Sequence, residues 1–344
     1  MRALVYVEKE RMQMEARPKP TAAPDQVLLR VLGTGICGSD MAGFLGLSPR
    51  RQPGLVLGHE AVGIVEQMPQ IAHPFQESWS FKVGDRVVVN PITPCGKCEA
   101  CRTGHINICA SWKLLGLDRV DGAFADYVAI AATNVFPLPE DLPDHKAAMI
   151  EPLANGVHLF TLIQARQPGT LVIYGAGTQG CLMLSLARIL GYRDIAIVDL
   201  NEDRLQVARE LGAKHLINAG STNAPSEINR VFPGGADIVI DAHGNQAVRS
   251  ACVSSVRKGG QVLLLGLHEV SSTIDFAAVV RNEIQLQGSY AFTALDFARS
   301  KALIESGDID LSRWTEIAPL ESGHEAFTRL TKSPGATMKI VLSS

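Results

Sequence analysis

The sequence predicts an α/β chain in which a doubly wound parallel sheet is joined to a second, barrel-like β domain. Three observations carry this. Residues 1–150 alternate short apolar runs with Gly/Pro turns. From about residue 170, continuous apolar strands alternate with helical spacing. A glycine-rich turn, "VIYGAGTQG", joins the first of those strands to a helix. At 344 residues the chain has room for two cores, because a single core stops growing near about 250–300 residues.

In order along the chain, "ALVYV", "VLLRVLG", "AVGIVEQ", "RVVVNP" and "FADYVAI" read as short strands of period two. The N-terminal "MRALVYVEKERMQM" reads as one strand. Helical spacing first appears in "PDHKAAMIEPLANGVHLFTLI", 143–163. Then "TLVIYGAG", "DIAIVDL", "HLINA", "ADIVIDAHG" and "GGQVLLLGL" read as buried strands. Between them run the amphipathic "TQGCLMLSLARILGY", "EDRLQVARELGA" and "QAVRSACVSSV". That alternation implies a parallel sheet with crossover helices. From about 290 the tail returns to short mixed elements ending in "TMKIVLSS". The divisions are therefore 1–155 (with a cysteine-rich lobe at 90–111), 156–289 and 290–344.

A net charge of −3 offers no basic field for nucleic acid or an anionic membrane surface. Every long apolar stretch is broken by glycine or charge, which argues against a membrane span. The N-terminus is too short in apolar residues and too charged for a signal segment, so a cytoplasmic location is expected. Seven cysteines, an odd number, then argue against a disulfide framework. Cys181 and Cys252 sit in apolar, helix-like surroundings and read as core residues.

Gly175, Gly177 and Gly180 have G-x-G-x-x-G spacing after a strand and before a helix, the context a dinucleotide needs. The first glycine makes the turn, the second lets backbone N–H groups approach a pyrophosphate, and the third lets the helix pack on the sheet. Thr178 and Gln179 complete the loop as cofactor-binding candidates. Asp199, about twenty residues on, would accept hydrogen bonds from ribose hydroxyls and repel a 2′-phosphate, favouring NAD. Arg204 nearby leaves NADP as an alternative.

Cys95, Cys98, Cys101 and Cys109 suit a closed tetrahedral Cys₄ zinc site, which is structural because it has no open position. An iron–sulfur cluster is the rival, but no electron partner for it is in view. Cys37, His59 and Glu60 offer thiolate, imidazole and carboxylate, enough for a three-ligand zinc with a free coordination position.

In order, "GICGSD", "LGHEAVGIV", "GDRVVV", the Cys₄ lobe, "DGAFADYVAI", "EPLANGVH", "GAGTQG" and "VDLNEDRL" resemble the zinc-dependent medium-chain dehydrogenases of the alcohol/sorbitol dehydrogenase superfamily. The resemblance runs nearly end to end and favours the polyol branch. It implies a GroES-like catalytic domain to which residues 290–344 return, and a Rossmann NAD domain. It also implies a catalytic zinc on Cys37, His59 and Glu60 with Glu151 beside it, and two zinc ions per chain. Ser39 would accept the substrate proton, while Gly266 and Leu267 in "LLLGLH" would pass beside the nicotinamide. The expected partner is a small alcohol or polyol, with no nucleic acid or membrane. Relatives form homodimers or homotetramers by pairing edge strands, here expected through "QVLLLGL".

The "IEPL" motif resembles polyol, sugar and threonine dehydrogenases more than simple alcohol dehydrogenases. Ala42, Gly43 and Phe44, and Ala291 in "GSYAFTALD", depart from sorbitol dehydrogenase where the sugar would be gripped. Arg50 and Arg51 in "SPRRQPG" would suit a phosphate or carboxylate, making a hexitol phosphate the alternative to a plain polyol, with L-threonine a further one. A zinc-free quinone reductase would not need Cys37, His59 and Glu60. A non-catalytic NAD-binding scaffold is the remaining contrast.

Overall fold

The computed structural model describes residues 1–72, 78–165, 167 and 169–344. The chain divides into two compact units, Met1–Pro152 with Thr293–Ser344, and Leu153–Phe292. The junctions expected from sequence lie at 155/156 and 289/290.

In the second unit the central strands Leu171–Tyr174 and Ile195–Asp199 are almost wholly apolar because both faces are buried. Leu171 and Ile173 pack into one core with Ile195, Ile197, Ile238 and Ile240. Val172 and Tyr174 point the other way, with Ala196, Val198 and Val239. The six parallel strands lie in the order His215–Asn218, Ile195–Asp199, Leu171–Tyr174, Ala236–Asp241, Val256–Leu264, Gln285–Gly288. Numbered within this unit that is 3-2-1-4-5-6, with the order reversing beside Leu171–Tyr174, at whose carboxyl end ligands bind in such sheets. "QVLLLGL" was expected at a sheet edge. It lies instead mostly in Val256–Leu264, which is paired on both sides, and the edges are His215–Asn218 and Gln285–Gly288. Its unbroken apolarity marks an interior strand.

The first unit holds a seven-stranded sheet centred on Gln26–Gly35. That strand pairs antiparallel with Glu60–Gln67, Tyr127–Ala131 and the C-terminal Lys339–Ser343. Gly35 lies opposite both Glu60 and Val341, so strands nearly 300 residues apart flank one glycine. Val27, Leu29 and Val31 alternate inward onto Ala61, Val65, Val87, Val89, Val128 and Ile130. The N-terminal stretch read as one strand is a hairpin, Arg2–Glu8 against Arg11–Ala16. Its turn places Glu10 at φ 59, a position usually signalled by Gly or Asn. Residues 143–163 form two helices, Asp144–Ala147 and Ile150–Thr161. The tail carries longer helices than expected, Ala294–Glu305 and Gly323–Lys332. Among the described residues no helix is long and apolar enough to cross a membrane.

Candidate active site and metal centres

Cys37 precedes the short helix Gly38–Phe44, and His59 leads into the strand that begins at Glu60. Their ligand atoms, the Cys37 sulfur, a His59 ring nitrogen and a Glu60 carboxylate oxygen, all lie within 4.8 Å of one another. His59 and Glu60 are buried. His59 Nδ1 stands 3.5 Å from Asp40 Oδ1 and makes no hydrogen bond among the described residues. Asp40 Oδ2 accepts from the Cys37 N–H at 3.2 Å.

Burial alone would raise the Asp40 carboxyl, but the His59 ring, Arg51 and the Cys37 N–H hold it down at about 2. His59 is driven up in spite of burial by Asp40 and Cys37. Glu151, in the first turn of Ile150–Thr161, is buried and stands outside the three-ligand cluster. Burial pushes it up to about 7, opposed by His59 and helped by Glu60. Cys37, Asp40, Glu60 and Glu151 thus lie about His59, against two buried cations among the described residues, Arg51 and Lys339. A sulfur–nitrogen–oxygen donor set in that anionic nest fits a zinc ion.

Lys339 was not singled out from the sequence. Its Nζ donates to Glu60 Oε1 at 2.7 Å, Oε2 at 2.6 Å and the Ile36 carbonyl at 3.0 Å. The pair spans Gly35, where a Cβ would lie 2.1 Å from Glu60 Oε2. Asp40 was also missed, although its place in "GICGSD" beside Cys37 was a usable signal.

Arg50 and Arg51, the candidates for holding a phosphate or carboxylate, are each engaged by the protein's own groups. Arg50 places Nε and Nη2 on Asp118 at 3.1 and 2.7 Å. Arg51 is only 6% exposed, and its Nη2 donates to Ser39 Oγ at 2.9 Å and lies 3.5 Å from Asp40 Oδ1. Buried charge needs such partners, and the loop "SPRRQPG" gave no sign of burial.

In the lobe, Cys98 Sγ lies 3.5 Å from Cys101 and 3.8 Å from Cys109, and Cys95 Sγ lies 3.9 Å from Cys101. Four sulfurs at about 2.3 Å from one tetrahedral zinc stand about 3.8 Å apart, so the cluster fits that ion; all four cysteines are free thiols. Backbone N–H groups of Cys101 and Ala110 pull Cys98 down to about 6, while desolvation and its neighbours push Cys101 up to about 12.

At the carboxyl end of Leu171–Tyr174, Gly175 adopts φ +105, and Gly177 caps the helix Thr178–Ile189. A Cβ on Gly180 would stand 1.8 Å from the Gly175 carbonyl oxygen, so only glycine lets the helix come this close. Thr178 and Gln179 fill its first turn. Asp199 ends its strand and accepts from the Ala176 N–H at 2.6 Å and the Asn201 N–H at 2.9 Å. Arg204, on the helix Glu202–Glu210, has Nη1 3.8 Å from where a Cβ on Gly177 would stand. Gly266 packs against Gly244 with no room for a side chain on either, and Leu267 is exposed. His243 and His268, which no sequence motif marks, stack at 5.1 Å on these loops. The cradle of glycines beside a carboxylate fits a dinucleotide.

Comparison with known proteins agrees. Residues 23–140 match the alcohol dehydrogenase GroES-like domain, and residues 178–306 match the zinc-binding dehydrogenase family. A sorbitol dehydrogenase of Bacillus subtilis is 32% identical over 99% of this chain and 97% of its own. An L-threonine 3-dehydrogenase of Deinococcus radiodurans is 33% identical over 85% of this chain and 83% of its own. Alcohol dehydrogenase TADH from Thermus sp. ATN1 superposes with a TM-score of 0.91 at 28% identity, covering 100% of both chains. With these matches spanning both units, the chain belongs to the zinc-dependent medium-chain dehydrogenases, in their polyol branch, and is an oxidoreductase of zinc, a nicotinamide cofactor and a small-molecule substrate.

Proposed function

We propose that the protein oxidises a secondary alcohol, a polyol or sugar alcohol, with NAD, and catalyses the reverse reduction. The observation that carries this reading is the convergence of Cys37, His59 and Glu60 ligand atoms within 4.8 Å, with Ser39 two residues beyond Cys37. Zinc bound there would make the alcohol hydroxyl acidic enough to ionise near neutral pH, and the nicotinamide would accept the hydride.

The chain's own residues do the rest. Ser39 Oγ takes the proton as the alcohol O–H bond breaks and passes its own proton to water. Asp40 orients the His59 ring, and Lys339 balances the Glu60 charge. Glu151 supplies a further carboxylate beside the ligands. Asp199 accepts from the adenosine ribose hydroxyls and disfavours a 2′-phosphate, so NAD is preferred to NADP. Gly266 and Leu267 pass the nicotinamide. The Cys₄ lobe holds a second, structural zinc, giving two per chain.

A polyol is favoured over a simple alcohol by "IEPL" around Glu151 and by likeness to the sorbitol and threonine enzymes. A phosphorylated substrate is less favoured, because Arg50 is paired with Asp118 and Arg51 Nη2 is engaged by Ser39 and Asp40. Assembly as a homodimer or homotetramer would use the edge strand Gln285–Gly288. The test is NADH formation across polyols, sugar phosphates and L-threonine, repeated with NADP. Turnover of a polyol with NAD is expected; no turnover of any alcohol by zinc-replete protein refutes the reading.

A further inference from the structure

We propose that Arg51 is a positioning residue of the proton-transfer centre, fixing the Ser39 hydroxyl and, through Asp40, the His59 ring. This rests on the reading of Ser39 as proton acceptor, and extends it to a residue outside the ligand set.

The first support is burial. Arg51 is 6% exposed, and a guanidinium is held out of water at high cost unless it is paired. Its partners are Ser39 Oγ at 2.9 Å and Asp40 Oδ1 at 3.5 Å, two groups flanking the cluster. The second support is the space made for it. A Cβ on Gly43 would lie 2.3 Å from Arg51 Cδ. Gly43 sits inside the helix Gly38–Phe44, where glycine is less favourable than alanine. Its φ is not positive, so room for the arginine stem, not conformation, accounts for it.

The third support is what the contact does to Ser39. A hydroxyl has two acceptor lone pairs and one donor. Nη2 occupies one lone pair, which leaves the other for the alcohol proton and the O–H to deliver its proton to water. Ser39 ends each cycle unchanged. Asp40, 3.5 Å from both Arg51 Nη2 and His59 Nδ1, sets the ring's orientation by charge pairing, the role that outer partners play for metal-binding histidines.

The test uses the zinc-loaded enzyme. R51M keeps a stem over Gly43 and removes the guanidinium. We expect kcat to fall roughly 10- to 100-fold, the loss that an ångström of misplacement produces, with the alcohol KM and NAD affinity little changed. R51A should recover part of its kcat in guanidinium chloride and none in sodium chloride. A kcat for R51M within twofold of wild type overturns the proposal, as does an R51A loss that guanidinium leaves unrepaired. Should wild-type protein turn over no alcohol, the functional reading fails instead. Arg51 is then tested by the cobalt(II)-substituted protein, whose visible absorption bands should shift in R51M and D40N but not in R50M. Unshifted bands in R51M overturn the proposal there too.

Discussion

Replacing Lys339 by Met removes the cation, and all three of its hydrogen bonds, from beside Glu60. Lys339 is 2% exposed and Glu60 is 1% exposed, so in metal-free protein, where no ion takes up the charge, the remaining carboxylate is left buried without its partner. Breaking a buried ion pair in this way costs about 3–5 kcal/mol. The unit that carries the pair has about 200 residues, for which each kcal/mol moves the melting temperature about 2–4 °C. K339M should therefore melt roughly 6–20 °C below wild type. All three tryptophans, Trp79, Trp112 and Trp314, belong to this unit, so tryptophan fluorescence during urea or thermal unfolding follows it selectively.

The double variant E60Q/K339M should be more stable than K339M, because the unpaired charge is gone. The pH dependence has a definite sign. Burial lowers the Lys339 pKa, but Glu60 and Cys37 outweigh it and raise the value above its ordinary 10.5. The pair's contribution is therefore fully present below that value and fades only as pH rises through the higher folded pKa. A K339M stability within about 1 kcal/mol of wild type, or a double variant no better than the single, refutes the reasoning.

Three further outcomes follow from the geometry. C37S or H59A should abolish turnover while leaving NAD affinity, measured by calorimetry, within about twofold. G180A places a Cβ against the Gly175 carbonyl and should weaken NAD binding about 10- to 100-fold, read by the same titration. C98S should lower zinc content from about two to about one per chain and destabilise the 90–111 lobe, seen by metal analysis and proteolysis.

What was legible in the sequence was what is local in it. The glycine loop spans six residues and the Cys₄ set fifteen, so spacing alone states their geometry. Cys37 and His59 needed the family's motif order, but their motifs are contiguous. Lys339 and Glu60 are 279 residues apart, and they meet only because Gly35 carries no side chain between two strands. No window of sequence contains that fact. Arg51 suggested an anion site because "RR" lies in a Pro- and Gly-flanked loop, whereas its burial depends on the gap at Gly43. The interior place of Val256–Leu264 was signalled by its apolar run Val262, Leu263 and Leu264, whereas exposed Arg257 and Lys258 at its start carry no such cue. Gln285–Gly288, the true edge, is short and half polar and carries little strand signal.

The central claim is that a divalent metal sits on Cys37 and His59. Anomalous diffraction at the zinc absorption edge, on crystals of active protein as purified, tests it directly. The account predicts two peaks per chain, one within the four lobe cysteines and one bonded to Cys37 Sγ and a His59 ring nitrogen at about 2.0–2.3 Å. Active crystals with no peak at Cys37 and His59 contradict it.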